Sequence, residues 1–334
     1  MTTEAAPPLV TLEAIRAAAE RLRGITIRTP LLAFGAPGER RFLKAESLQP
    51  IGAFKLRGAY AAIASLSPDE LARGVITYSS GNHAQGVARA ARLLGTAAVV
   101  VMPSDAPEVK RERVAADGAE IVIVGTASDE RQRVAEEMAA RRGLAIIPPF
   151  DDDRIIAGQG TVGLEIVEDR SDVAAVLVPV GGGGLASGVA TAIAALRPGV
   201  RVIGVEPELA ADAHESLERG EIVAWPAELV SRTIADGTRT QALGLRTFAH
   251  LRAHLDSIVT VSEAEIAAGV RLAAERARLV VEPSGALGIA AMSFHARELG
   301  LDRIDGSVVA VVSGGNVDPM RYQAFLQAPI PPEG

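Results

Sequence analysis

The chain has 334 residues, enough for two domains or one large one, and 48% are hydrophobic although only 3% are aromatic. A formal net charge of -7 without any basic cluster argues against a nucleic-acid surface, and no apolar run reaches membrane-spanning length. With no cysteine there is neither disulfide nor thiolate chemistry, and "MTTEAAPPLV" has no signal-peptide pattern, so a soluble, cytoplasmic chain is expected.

In chain order, the first stretch that asks for an explanation is "SLQPIGAFKLRGAY", Ser47 to Tyr60. It sets Lys55 between Phe54 and Leu56, with Gly52, Ala53, Gly58 and Ala59 allowing close approach on both sides. An ammonium is costly to bury, so the ordinary expectation is a lysine that opens a helix and snorkels to water. The other is a lysine whose chemistry requires an apolar setting.

Past it, "GVITYSS", "AAVVVMP", "AEIVIVG" and "LAIIPPF" read as buried parallel strands, separated by stretches of helical spacing that end in glycine. "PPFDDDR", Pro148 to Arg154, breaks both elements and marks a crossing point. The alternation resumes with "VAAVLVPV", "VRVIGVEP", "SIVTVS" and "SVVAVVSGG". Ser67 to Glu70 and Ser262 to Glu265 are capping boxes. Repeated βα units predict an α/β protein with doubly wound parallel sheets.

Several stretches carry chemistry. Gly181, Gly182, Gly183 and Gly184 follow an apolar strand and precede a helix of small residues, which makes a cradle of backbone N–H groups for a phosphate. No Lys-Ser/Thr pair follows, so this is no Walker loop, whereas Gly181, Gly183, Ala186 and the strand-ending Glu206 also fit a dinucleotide fingerprint. In "TYSSGNHAQGVA" a strand runs into Ser79, Ser80, Gly81, Asn82 and His83, whose hydroxyls and N–H groups suit a carboxylate. His83 reads as structural. Glu206 and Asp212 with Ala210 between them offer two carboxylates and a carbonyl to a hard cation, or are simply two solvated acids. Ser313 ends a very apolar strand, either as a turn residue or as a hydroxyl facing a heteroaromatic nitrogen.

Taken together and in this order, with "AGQGT", "ADG", "EPSGA" and "SGGN", these motifs resemble the fold-type II pyridoxal-phosphate enzymes. The branch is that of the serine/threonine dehydratases and serine racemases, and the likeness runs from about Leu12 to Asp318. It implies a tryptophan-synthase-β-like fold of two parallel-sheet domains with pyridoxal 5'-phosphate in the cleft between them. Residues 1–73 and 145–334 would form the large domain and residues 74–144 a small mobile one, with no regulatory domain after it.

The resemblance further implies that Lys55 joins the cofactor aldehyde as a Schiff base and serves as general base. Phe54, Asn82, Leu185, Glu282 and Ser313 would bind the cofactor with Gly181 to Gly184, and Ser79 to His83 the substrate. Ser80 stands where racemases place a second acid/base. Glu206, Ala210 and Asp212 match a divalent-cation site for Mg²⁺, Mn²⁺ or Ca²⁺. The expected reaction is loss of water from a β-hydroxy amino acid, threonine or serine, to give a 2-oxo acid and ammonia, by a homodimer. Serine racemase or 3-hydroxyaspartate dehydratase is the alternative inside the family. A nicotinamide dehydrogenase and a non-catalytic amino-acid-binding protein are the alternatives outside it.

Overall fold

The computed structural model describes residues 7–332 except 37, 80, 107, 126 and 127. Its strands are β1 (Leu31–Ala33), β2 (Arg41–Ala45), β3 (Val75–Tyr78), β4 (Ala98–Pro103) and β5 (Glu120–Val124) in the first half. They continue with β6 (Ala145–Ile146), β7 (Val173–Pro179), β8 (Arg201–Pro207), β9 (Ser257–Val261) and β10 (Ser307–Val312). They make a six-stranded sheet ordered β1-β2-β10-β7-β8-β9 and a four-stranded sheet ordered β5-β4-β3-β6. The smaller sheet is parallel throughout, with Ile76 opposite both Val99 and Ile146. Strands β4, β7 and β10 are buried along their full length or nearly so, as helices on both faces require.

Two details depart from the sequence reading. The large sheet is not wholly parallel, because the edge strand β1 pairs antiparallel with β2, Leu32 opposite Leu43. That strand is only three residues long, and β2 opens on Arg41 and contains Lys44, so neither shows the apolar run that marks the interior strands. "LAIIPPF" yields only the two residues of β6, since Pro148 and Pro149 have no N–H to donate to a ladder. Both expected capping boxes form, at Ser67 with Glu70 and at Ser262 with Glu265.

Three helices fix where Lys55 and the tetraglycine turn sit. Lys55–Ile63 and Gly184–Leu196 both lie on Asp153–Asp169, whose residues 155–164 are all buried. The closeness is set by glycine: a Cβ on Gly158 would lie 2.7 Å from the Arg57 carbonyl oxygen, and one on Gly188 would collide with the Ile156 carbonyl oxygen. The central "AGQGT" and the terminal glycine of "GGLASG" are thus packing residues. They hold the lysine helix and the tetraglycine helix on one rigid support.

Candidate active site

Lys55 is the first residue of its helix, and the backbone just before it is anchored to the end of β10. The Phe54 N–H donates to the Ser313 carbonyl at 3.0 Å, and Ala53 forms a bridge with Gly314. The helix Asn82–Leu94 crosses the same point, close enough that a Cβ on Gly86 would lie 3.2 Å from the Lys55 carbonyl carbon. This is why small residues surround the lysine: three segments meet at its backbone. Its amine does not snorkel outward. Nζ donates to the Pro149 carbonyl at 2.7 Å and lies 5.2 Å from the centroid of the Phe54 ring. Removal of water from the ammonium lowers its pKa to about 8, which makes the neutral, nucleophilic amine accessible near neutral pH.

The residue after Pro149 connects the lysine to the glycines. The Phe150 ring occupies the space a Cβ on Gly182 would need, and its backbone lies 3.2 Å from one on Gly184. Gly181 faces Thr238 and Gly183 faces Thr247, each with room for hydrogen only. Gly183 also takes φ +86°, a left-handed conformation that favours glycine. The turn opens the thirteen-residue helix Gly184–Leu196, whose first-turn N–H groups have no intrahelical acceptor. A cradle any Cβ would fill, at a helix N-terminus beside a desolvated amine, fits a phosphate-bearing aldehyde. Leu185, which follows, is buried in the core beneath.

The loop after β3 supplies the opposite wall. The Gly81 N–H donates to Ser79 Oγ at 3.3 Å, and Asn82 begins the helix. Ser80 lies outside the described residues. Asn82 Nδ2 donates to Glu282 Oε1 at 2.7 Å, and its Oδ1 accepts from Asn316 Nδ2 at 2.9 Å. Glu282 is almost wholly buried, and its pKa is pushed up to about 7, chiefly by that burial and then by the Asp236 charge. His83 is buried with Nε2 3.1 Å from the Ile147 carbonyl. Burial, reinforced by the Lys55 charge, lowers its pKa to about 3, so the ring is neutral and Nε2–H donates. Ser313 Oγ donates to the Ser284 carbonyl at 3.3 Å.

Glu206 and Asp212 are both fully buried, one near the end of β8 and the other at the start of the helix Asp212–Arg219. Glu206 accepts from the N–H groups of Ala213 and His214, while neither carboxylate oxygen of Asp212 has a partner. Burial pushes the pKa of Glu206 well up, with the Asp212 charge adding to it, and raises Asp212 to about 7. Ala210, between them in the chain, is buried as well. Among the described residues no group of three or more His, Asp or Glu side chains forms a metal cluster. Two desolvated carboxylates without a counter-charge still fit a hard cation with carbonyl and water ligands.

Sequence reasoning missed the Pro149 carbonyl and Phe150, although both lie in "PPFDDDR", which reads as a chain crossing. It also missed Lys110 and Arg113, which reach from the smaller sheet to Asp236 at 2.9 Å and to Asn316 Oδ1 at 2.9 Å. Both lie in a charged, weakly amphipathic helix that gives no local sign of facing a cleft.

Comparison with known proteins decides the family. Residues 22–314 match the family described as "Pyridoxal-phosphate dependent enzyme". The chain belongs to that family. It is 41% identical over 313 residues to the L-threo-3-hydroxyaspartate ammonia-lyase of Saccharomyces cerevisiae, covering 92% of this chain and 94% of that one. Among solved structures, it is 46% identical to a T.th. threonine deaminase, with a TM-score of 0.85 over 92% of this chain and 99% of that one. The maize serine racemase structure matches with 35% identity and a TM-score of 0.90, over 95% and 97% of the two chains. Membership in this family replaces the dinucleotide reading of the glycines: Glu206 is engaged by backbone N–H groups and acted on by the charge of Asp212. Among the described residues no helix is long and apolar enough to cross a membrane.

Proposed function

We propose that this protein is a pyridoxal-phosphate-dependent ammonia-lyase that removes water from threonine and serine. The observation that carries the reading is the Pro149–Phe150 segment, which ties the Lys55 amine to the wall of the tetraglycine turn. A lysine and a phosphate cradle joined by two consecutive residues are what an aldehyde-and-phosphate cofactor requires at its two ends.

When bound, pyridoxal phosphate supplies a conjugated sink for the electrons released at the substrate's Cα. Gly181 to Gly184 and Leu185 would hold its phosphate through N–H groups, Phe54 would flank its ring, and Ser313 would face its ring nitrogen. A serine hydroxyl there, unlike a carboxylate, does not force that nitrogen to stay protonated. Asn82, steadied by Glu282 and Asn316, would present its amide to the ring oxygen.

The chain's own residues then account for the proton traffic. The Ser79–His83 loop would receive the substrate carboxylate at the N-terminus of the helix Asn82–Leu94. Lys55, neutral once its amine is released, takes the α-proton as general base. The β-hydroxyl would depart as water, the proton lost from Cα balancing the hydroxide lost from Cβ, and the released enamine would take up water to give a 2-oxo acid and ammonia. Residues 74–144 would act as the closing domain. Their sheet is separate from the large one and also takes in Ala145 and Ile146, which pair with β3 and so carry the smaller unit past the expected boundary at 144; Lys110 and Arg113 meet the large sheet's loops through polar contacts. Glu206, Asp212 and the Ala210 carbonyl would hold Mg²⁺, Mn²⁺ or Ca²⁺ and brace the loop after β8.

The test is direct. Purified holoenzyme incubated with L-threonine and L-serine is expected to release 2-oxobutyrate or pyruvate in step with ammonia. Its yellow colour should be lost on borohydride reduction. D-serine formed without pyruvate would overturn the lyase reading in favour of racemisation.

A further inference from the structure

An ion pair that the mechanism above does not use joins the two units. Lys110, on the helix Glu108–Ala116 of the smaller unit, places Nζ 2.9 Å from Asp236 Oδ2 of the larger one. Asp236 opens the turn Asp236–Thr238, which lies against the phosphate cradle: a Cβ on Gly181 would be 3.0 Å from Thr238 Cα. The Gly237 N–H donates to Ser284 Oγ at 2.8 Å, and the carbonyl of that same serine accepts from Ser313. Asp236 is also near enough to Glu282 for its charge to act on the carboxyl that holds Asn82. The pair thus stands between the cofactor cradle and the substrate loop.

Several other cations of the two units are already engaged. Arg113, on the same helix, donates to Asn316 of the larger unit. Arg154 is held by Asp152, and Arg246 by Asp153. Tyr78 is the last residue of β3 before the substrate loop; burial, then the Glu136 and Asp151 charges, raise its pKa and keep its hydroxyl protonated. Arg111 is the neighbour of Lys110, and its Nε is buried without a hydrogen-bond partner, but successive helical side chains diverge by about 100°, so it does not share Lys110's direction.

An acidic β-substituent entering this cleft would meet carboxylates and a lysine already neutralised. A β-hydroxyl with hydrogen or methyl beside it would lose nothing. We propose that the Lys110–Asp236 pair is a specificity determinant that makes the cleft select neutral β-hydroxy amino acids over β-carboxylated ones. The inference rests on the ammonia-lyase reading and adds the substrate class to it. The contrast with the yeast relative, named for an acidic substrate at 41% identity, makes the distinction concrete.

The experiment compares kcat/KM for L-threonine and for L-threo-3-hydroxyaspartate in the full-length holoenzyme, its Asp236→Asn variant and its Lys110→Met variant. Wild type should favour threonine. Asp236→Asn frees Lys110 and should shift the ratio toward the dicarboxylate by about tenfold, corresponding to ~1.4 kcal/mol in the barrier difference. Lys110→Met leaves Asp236 bare and should shift it the opposite way, which preserves the test should Asp236→Asn fold poorly. Unchanged ratios in both variants, with wild type active, would overturn the specificity role alone. A holoenzyme that eliminates from neither substrate would overturn the lyase reading and this inference together.

Discussion

Two polar networks flank Lys55, and they are built on opposite terms. Behind it, Arg57 is almost wholly buried and bonds to Glu46 at 2.8 Å and to Glu165 at 2.7 Å. Lys44, also buried, bonds to Glu165 at 2.5 Å and to the Thr29 carbonyl at 2.7 Å. The Thr29 hydroxyl and the Gln49 amide donate to Glu46 as well. In front, Lys110–Asp236 and Arg113–Asn316 are partly or largely exposed and cross between the two sheets. The rear network has its charges matched in a largely buried setting, so losing one member strands the others. The front one can break and reform in water at small cost. On the proposed reading, in which Lys55 keeps its position while substrate enters, the rear network would be the fixed side and the front pair the releasable one.

Variants can break this contrast, the strongest first. Lys55→Ala should abolish turnover and leave the protein colourless after incubation with pyridoxal phosphate, read by visible absorbance; retained colour would show that another amine holds the cofactor. Arg57→Met comes next. Leaving buried Glu46 without its ion-pair partner, and Glu165 with Lys44 alone, should cost about 3–5 kcal/mol in denaturant unfolding, far more than any front-side change. The pH dependence is a third expectation. The Lys55 pKa is depressed to about 8, so capture of pyridoxal phosphate by the apoprotein should quicken as pH rises toward that value and level off above it. A rate independent of pH across that range would contradict the desolvated amine.

The smaller effects sharpen the comparison. Mg²⁺, Mn²⁺ or Ca²⁺ should raise the melting temperature of wild type, and Asp212→Asn should abolish that rise; equal shifts in both proteins would exclude the Glu206–Asp212 pair as the site. Lys110→Met should change stability by less than about 1 kcal/mol, in contrast to Arg57→Met.

Much of the fold was legible because its interior strands are unbroken apolar runs ended by glycine or proline. "AAVVVMP" and "SVVAVVSGG" became β4 and β10 almost residue for residue. The edge pair β1–β2 was not, since a three-residue strand has no periodicity to detect and pairing with β10 decides it. At the site, Lys55, the tetraglycine and the loop after β3 stood out because each combines residue types that ordinary turns do not need. Pro149 was invisible for a physical reason: it contributes a backbone carbonyl, which every residue has. Lys110 and Asp236 were invisible for another, being ordinary surface residues until the fold brings them together over 126 positions.

The segment that joins the two sheets has one more implication. Ile147 accepts from His83, Pro149 accepts from Lys55, and Phe150 fills the hollow at Gly182. One four-residue strap is thus held by the helix of the smaller sheet, by the lysine amine and by the tetraglycine turn, so any shift of one sheet against the other would reach all three through the main chain.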